Sequence, residues 1–523
     1  MSAPDSVEFE YSRAQIVAYA VIGLIILIIA LPTIQSILYK AVIGTPSIAQ
    51  WGLVSGALLV LAFQRESNAI FTLAILIFVG LGLVAGPVAG GVYAHTDVAE
   101  TIEADATELD TLPNTSTESV RVLPRSVSDN YAQSSMQFPQ YQLSSSDITY
   151  QDGNYKWSYG LIPDNFFVSL LNTQRGALYV NMTTTEKSVS IEDTNFQTGR
   201  GQLLFDSYRY QSVLHSPLKR HNWDTTFNAK AGNSSYIAHS TTTYDWRFRL
   251  APLPQLYAVP QHGSVEIMRP DGRIQSLSPS AAEDSPLLVG QNFYPYNIAM
   301  FKVESMQFKN GALNKWFFKE DVLAIADLPE RGNSWPVVVP TGSDAPRLDY
   351  FIATEPTGSG DGIYEVWVTD GQSGDLSVQS YTESQIGPQK AVDFVEQRPQ
   401  VNRLSNAEAV APVPVVRGET LFWHTKVVPS RRSGIVYTAF VNAESGAVTL
   451  VDGTEPIYAF LTQEEFEQQQ EDNTDATTDT VEVTVVVTDD SGEIVGTRNI
   501  TVPQGGNVSI NIDNDRQNNT SQP

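Results

Sequence analysis

The chain opens on three uncharged, strongly apolar runs and then changes period. Ala14–Tyr39 is bounded by Arg13 and Lys40, Ala41–Gln64 follows, and Ala69–Ala94 closes the series. A membrane-crossing helix needs about 20 apolar residues at about 1.5 Å each. The first and third runs meet that length. In the second, Gly44 and Pro46 break the start and leave Ser47–Phe63 as the helical part. Pro32 is expected to kink the first helix or end it at Leu31, because proline supplies no amide donor to the helical ladder. Residues 1–95 therefore predict an anchor of three transmembrane helices, or two if the second run does not cross. The start is acidic (Asp5, Glu8, Glu10) and two further runs follow. Both features oppose a cleaved leader, which begins basic and stands alone.

Residues 96–147 are poor in apolar clusters. Glu100–Asp105, Pro113–Thr117 and a serine-rich stretch to Ser146 predict an acidic, serine-rich stalk, since such a segment buries too little surface to offset its ordering entropy. From about Ile148 the alternation becomes that of strands, with Val, Ile, Thr, Tyr and Phe between Gly, Pro, Asn and Asp turns. Ala177–Met182 reads as a strand, and Ser264–Met268 with Arg273–Leu277 as a hairpin around Pro270-Asp271-Gly272. Helices are expected at Pro163–Arg175, from Ser278-Pro279, at Asn297–Lys309 and around Ala391–Val395. The fold class is thus N-terminal transmembrane helices plus a mainly β (α+β) ectodomain.

An internal offset of 72 residues relates Tyr350-Phe351 to Phe422-Trp423, Gly362-Ile363 to Gly434-Ile435 and Ser373-Gly374 to Ser445-Gly446. It predicts two similar β units, fewer than a solenoid needs. The expected organisation is an α+β part over 148–340 and a β-rich part with the two units over 341–460. An acidic Gln/Glu linker over 461–480, a small β unit over 481–515 and a disordered tail over 516–523 complete it.

Charge sharpens this picture. Acidic residues number 58 against 32 basic ones, a net charge of -26, and there is no cysteine. Residues 1–94 hold four acidic and three basic side chains, so nearly all of the imbalance lies beyond the apolar runs. Nucleic acid is excluded as a partner, because no basic excess exists to displace its counterions. Disulfides and thiolate chemistry are excluded outright. Arg13 and Arg65 against Lys40 place the N-terminus inside and residues 95–523 outside by the basic-side rule. Acid-rich, Lys-poor and Cys-free, the chain resembles in composition and layout, though in no motif of a named family, a haloarchaeal or haloviral membrane-anchored surface protein. Such a body is expected to depend on salt to screen its self-repulsion.

No nucleophile elbow, zincin helix or phosphate loop is present, so no enzyme activity, cofactor or metal is expected. His215, His221 and His239, near Trp223, Asp224 and Asp245, match no standard ligand spacing and read as scattered surface histidines. Asp489-Asp490 with Glu493, and Asp513 with Asp515, read as solvated turns. Tyr155, Trp157 and Tyr159 alternate onto one strand face and, with Trp316, are the candidate interaction aromatics, core packing being the competing reading. Asn114, Asn181, Asn233, Asn499 and Asn507 begin glycosylation sequons. The function expected is a membrane-anchored surface or envelope protein, virion spike-like in the viral version. Its expected partners are the lipid bilayer, other envelope or virion proteins or surface glycans, with a homo-oligomer left open. An extracytoplasmic enzyme on surface polymers and a membrane-bound assembly or secretion factor are the alternatives.

Overall fold

The computed structural model describes residues 12–64, 69–115, 120–232, 234–251, 253–329, 333–341, 346–358, 362–404, 406–431, 434–462, 480–488 and 494–503. The chain divides into a large unit ending at Thr462 and a small one from Gln463.

Helix α1 (Arg13–Val42) begins at a capping box. Ser12 Oγ accepts from the Gln15 amide at 3.3 Å, and Gln15 Oε1 accepts from the Ser12 amide at 2.9 Å. Of the two outcomes expected at Pro32, an end at Leu31 does not occur: α1 continues through Pro32 for ten more residues. One missing donor is tolerated inside a ladder of 30 residues. α2 (Pro46–Gln64) leaves the body and α3 (Ala69–Asp105) returns to it. Gly82 and Gly86 form the slot that joins these two helices. A Cβ on either would fall 2.3 Å or 2.1 Å from the Trp51 ring, so only glycine lets the indole lie flat on α3. Gln15–Val42 and Phe71–Asp105 are long and apolar enough to span a membrane, and their most apolar windows are only 6% and 18% buried. Pro46–Leu61 is a shorter apolar helix.

The expected stalk is not there. α3 runs on to Asp105, and Ala94, Val98 and Ile102 form a helical stripe packed on the body beside Ile352 and Trp367. Strand β1 (Thr107–Glu108) then pairs in parallel with Ser377–Val378. Leu112, Val120, Val122 and Leu123 are all buried. α4 (Arg125–Ser135) buries Val127 and Ala132. Average hydropathy misjudged this segment because its few apolar residues are each covered by partners distant in sequence.

The first sheet takes β2 (Tyr141–Leu143), β3 (Asp147–Gln151), β4 (Asn154–Pro163), β5 (Gln174–Asn181) and β6 (Val189–Phe196). Its order is β2-β4-β5-β6, with β3 also on β4. Between β4 and β5 lies α5 (Phe166–Leu171), shorter than expected at both ends. α6 (Tyr208–His215) leads to the second sheet: β7 (Arg220–His221), β8 (Phe227–Ala231), β9 (Ser234–Arg249), β10 (Gln255–Met268) and β11 (Ile274–Leu277), ordered β11-β10-β9-β7 with β8 also on β9. The predicted hairpin is present as β10–β11, with Val265 opposite Leu277. α7 (Pro279–Glu283) starts at Ser278, and α8 (Tyr296–Ser305) continues as a tighter turn to Phe308.

The third sheet gathers β12 (Leu323–Ile325), β13 (Val337–Thr341), β14 (Arg347–Pro356), β15 (Gly362–Asp370) and β16 (Leu376–Ile386), together with β1. After α9 (Pro388–Glu396) and α10 (Pro399–Asn402) the fourth sheet forms from β17 (Ala407–Arg417), β18 (Thr420–Pro429), β19 (Tyr437–Asn442) and β20 (Val448–Val451). α11 (Thr454–Thr462) closes the large unit. The main core lies between these two sheets and α9. Phe351, Val366 and Val368 meet Trp423, Ala439, Val441 and Val395 there. Because strand side chains alternate, Ile352 and Trp367 of the same strands face α3 instead.

The two units at the 72-residue offset share their turn. Asp370 Oδ1 accepts from the Gln372 and Ser373 amides, and Asn442 Oδ1 from the Glu444 and Ser445 amides. Gly374 and Gly446 both take positive φ, +79° and +73°. The preceding strand pair differs: Phe351 faces Val368, whereas Trp423 faces Val441, one residue out of register. A slip of one residue turns a strand over, so Val366 and Val368 enter the core in one unit and Ala439 and Val441 in the other.

The small unit is an antiparallel pair, β21 (Thr480–Thr488) and β22 (Ile494–Pro503). Residues 463–479 of the expected linker, 489–493 and 504–515 of the expected β unit, and the tail lie outside the described residues.

Candidate functional site

Two adjoining features bring chemistry together. The first is a cleft of about 700 Å³ enclosed by the first sheet, α4, α8 and β13. Its walls include Arg121, Arg125, Asp129, Asp147, Asp224, Tyr296 and Trp335. Asp147 opens β3, and its Oδ1 accepts from the Ile148 amide at 2.8 Å and from Tyr296 Oη at 3.2 Å. Burial outweighs those bonds and pushes its carboxyl up to about 7. Arg121 is buried with its guanidinium 4.8 Å from the Trp157 ring centre, and Nη2 donates to Asn333 Oδ1 at 2.7 Å. Burial, then the Arg125 charge, lower it to about 10, which leaves it a cation at neutral pH. Tyr159 Oη lies 2.8 Å from both Ser128 Oγ and Asp129 Oδ1, fixing that carboxylate at the rim. A fixed cation, a protonatable acid and aromatic faces together suit a polar, hydroxyl-bearing ligand.

The second feature is buried in the second sheet beside the cleft. His221 on β7, His239 on β9 and Glu266 on β10 are 3%, 0% and 1% exposed. The sequence reading of His221 and His239 as surface residues is therefore wrong. Pairing in the β9–β10 hairpin sets His239 opposite Glu266, and β7 lies along the other edge of β9. His221 Nδ1 is 2.9 Å from His239 Nε2, and Glu266 Oε2 is 3.8 Å from each of those nitrogens. The far nitrogens are also engaged: His221 Nε2 donates to the Ser216 carbonyl at 3.1 Å, and His239 Nδ1 meets Tyr208 Oη. Trp223 stacks on both imidazoles, each with ring centres 4.9 Å apart. Its neighbour Asp224 lines the cleft, so the two features share a wall. Burial lowers His221 to about 4 and His239 well below its ordinary value. It raises Glu266 to about 7, against the Ser216 hydroxyl and Lys219. His215, at the end of α6, is exposed and is not among the three converging side chains, though its charge acts on His221.

Of the candidate aromatics, Tyr155, Trp157 and Tyr159 are all buried and pack in the core, and Trp157 also lines the cleft. Trp157 Nε1 donates to the Leu123 carbonyl at 2.9 Å. Trp316, with Phe317 and Phe318, is exposed. Asn114 is exposed, and Asn181 Oδ1 accepts from the Thr183 amide and hydroxyl. Asn499 lies in β22; Asn233, Asn507 and the carboxylates Asp489, Asp490, Glu493, Asp513 and Asp515 lie outside the described residues. Glu266 was missed altogether. Only the full pairing of β9 with β10 would have exposed it, because 27 residues separate it from His239.

No protein-family model matches the chain, and no curated protein or solved structure gives a significant match.

Proposed function

We propose that this protein is a membrane-anchored surface or envelope protein whose β-rich body stands directly on the outer face of the bilayer and recognises a partner there. The observation that carries the reading is the bareness of α1 and α3. Val17, Ile26, Leu73 and Val84 are more than half exposed. Leaving such a surface in water is costly at roughly 25 cal/mol per Å²; lipid removes that cost. Junction contacts support the same reading. Trp246 Nε1 donates to the Ile43 carbonyl, Gln50 Nε2 to the Pro254 carbonyl and Trp51 Nε1 to Gln255 Oε1. The β9–β10 tip with exposed Trp246, Phe248, Leu250 and Leu253 thus sits at the helix ends, where interfacial aromatics belong. α5 adds an apolar prominence away from the core, with Phe167 77% and Leu171 87% exposed, the kind of patch that marks a contact with another macromolecule.

The cleft favours a second reading, a site for a polar surface glycan or an enzyme acting on one. Protease applied outside intact cells or particles tests the first reading. It should release the body and leave α1–α3 in the membrane fraction after alkaline extraction. A fully protected body would overturn the outward placement, and a chain that stays monodisperse without detergent would overturn the anchor.

A further inference from the structure

We propose that His221, His239 and Glu266 form a structural site for a divalent metal of zinc type, tying β7 to the β9–β10 hairpin. The three facing atoms make a triangle of 2.9, 3.8 and 3.8 Å. The point equidistant from them lies about 2.1 Å from each, within the zinc–nitrogen and zinc–oxygen distances of about 2.0–2.2 Å.

The surroundings distinguish an ion site from a simple hydrogen-bonded pair. The rings can satisfy one another: Tyr208 hydroxyl to His239, His239 to His221, His221 to the Ser216 carbonyl. That arrangement leaves Glu266 without a hydrogen bond of ordinary geometry: both of its oxygens are buried and unbonded, and the Ser216 hydroxyl and the Lys219 charge are only near enough to favour its ionised form. An unpartnered buried carboxylate is costly, and a cation bound between it and the imidazoles removes the cost. The outer contacts are also those a metal site uses. The Ser216 carbonyl fixes His221 in the tautomer that presents the Nδ1 lone pair to the ion, and Tyr208 Oη can turn from donor to acceptor for His239 Nδ1, which frees the Nε2 lone pair. Two nitrogens and one carboxylate select zinc over magnesium or calcium, which take oxygen ligands. Three protein ligands leave a tetrahedral zinc one position short, to be filled by a water; because the three residues are almost wholly buried, with Trp223 and Tyr208 against the imidazoles, the ion's role is to hold strands. β7 needs such a tie, because it is only two residues long.

The full chain in detergent, stripped with chelator and reloaded with Zn²⁺, tests this. One tightly held zinc per chain is expected by elemental analysis, with excess Mg²⁺ failing to displace it. Co²⁺ in its place should show the visible bands of a low-coordinate site and quench fluorescence that is lost in Trp223→Phe. Glu266→Gln keeps the shape and should weaken zinc binding at least 100-fold. Should that variant not fold, Tyr208→Phe should weaken binding roughly 10-fold by loosening His239. Substoichiometric zinc, or zinc held equally by the wild type and by the folded variants, overturns the proposal. Cobalt binding with no effect on Trp223 emission overturns it as well.

Discussion

Replacing Lys426 with methionine should stabilise the body. Lys426 sits on β18 and is 1% exposed, with Nζ 2.7 Å from His424 Nε2 and 3.0 Å from Nδ1. Burial and the charge of Arg121 both hold its ammonium well below the ordinary lysine range. Each unit of such a shift represents about 1.4 kcal/mol that folding must supply. Exchanging buried ionic groups for apolar ones of similar volume gains about 1–4 kcal/mol. Losing the contact to His424 returns about 1 kcal/mol. The net expectation is a gain of about 1–3 kcal/mol for Lys426→Met, or roughly 1–3 °C in melting temperature for a unit of this size. The sign with pH is fixed. Where the unfolded lysine is protonated and the folded one is not, the unfolded state holds more protons, so wild-type stability rises with pH up to about 10.4. The gain from Lys426→Met should therefore be largest toward neutral and acidic pH and shrink as the pH approaches that value. Thermal and denaturant melts of both proteins across pH 6–10 check it. A variant less stable than wild type throughout, or a gain that does not shrink with rising pH, would refute the reasoning.

Three further outcomes are expected. Gly90 and Ser47 face each other, a Cβ on Gly90 lying 3.5 Å from Ser47 Cβ, within disulfide range. Because the chain has no cysteine of its own, Ser47→Cys with Gly90→Cys should crosslink on oxidation, seen as a shift on a non-reducing gel. Adding Gly86→Leu should sharply lower the yield by expelling Trp51, and an unchanged yield would refute the slot. Asp147, raised to about 7 by burial, adds stability that is full below its unfolded value near 3.9 and lost as pH rises through 7. Asp147→Asn should flatten that decline in a pH series of melts, and an unchanged slope would show that Asp147 is not its source. The net charge of -26 predicts that the chain loses its cooperative melt on dialysis from molar salt to low salt; a salt-independent melt would remove the resemblance to halophilic proteins.

Several features were legible along the chain itself because their causes are local. Long apolar runs favour helix by local chemistry, so α1, α2 and the start of α3 could be read with nearly correct ends, whereas the end of α3, at Asp105, could not. Ser278 before Pro279, and Pro270-Asp271-Gly272 between two alternating runs, name a helix start and a hairpin by backbone chemistry alone. Tertiary structure decided the rest. Ala94, Val98 and Ile102 became core only because the outer face of the third sheet lies beside them, which turned the start of an expected stalk into a packed helix end. The 72-residue offset predicted two like units, but strand register lies between chains of contacts and shifted one pair by a residue. His221, His239 and Glu266 carry no spacing signal, since their meeting depends on three strands aligning and on burial that removes water from all three at once. Local sequence fixes what a segment can be; which of its faces is covered, and by what, is a property of the assembled fold.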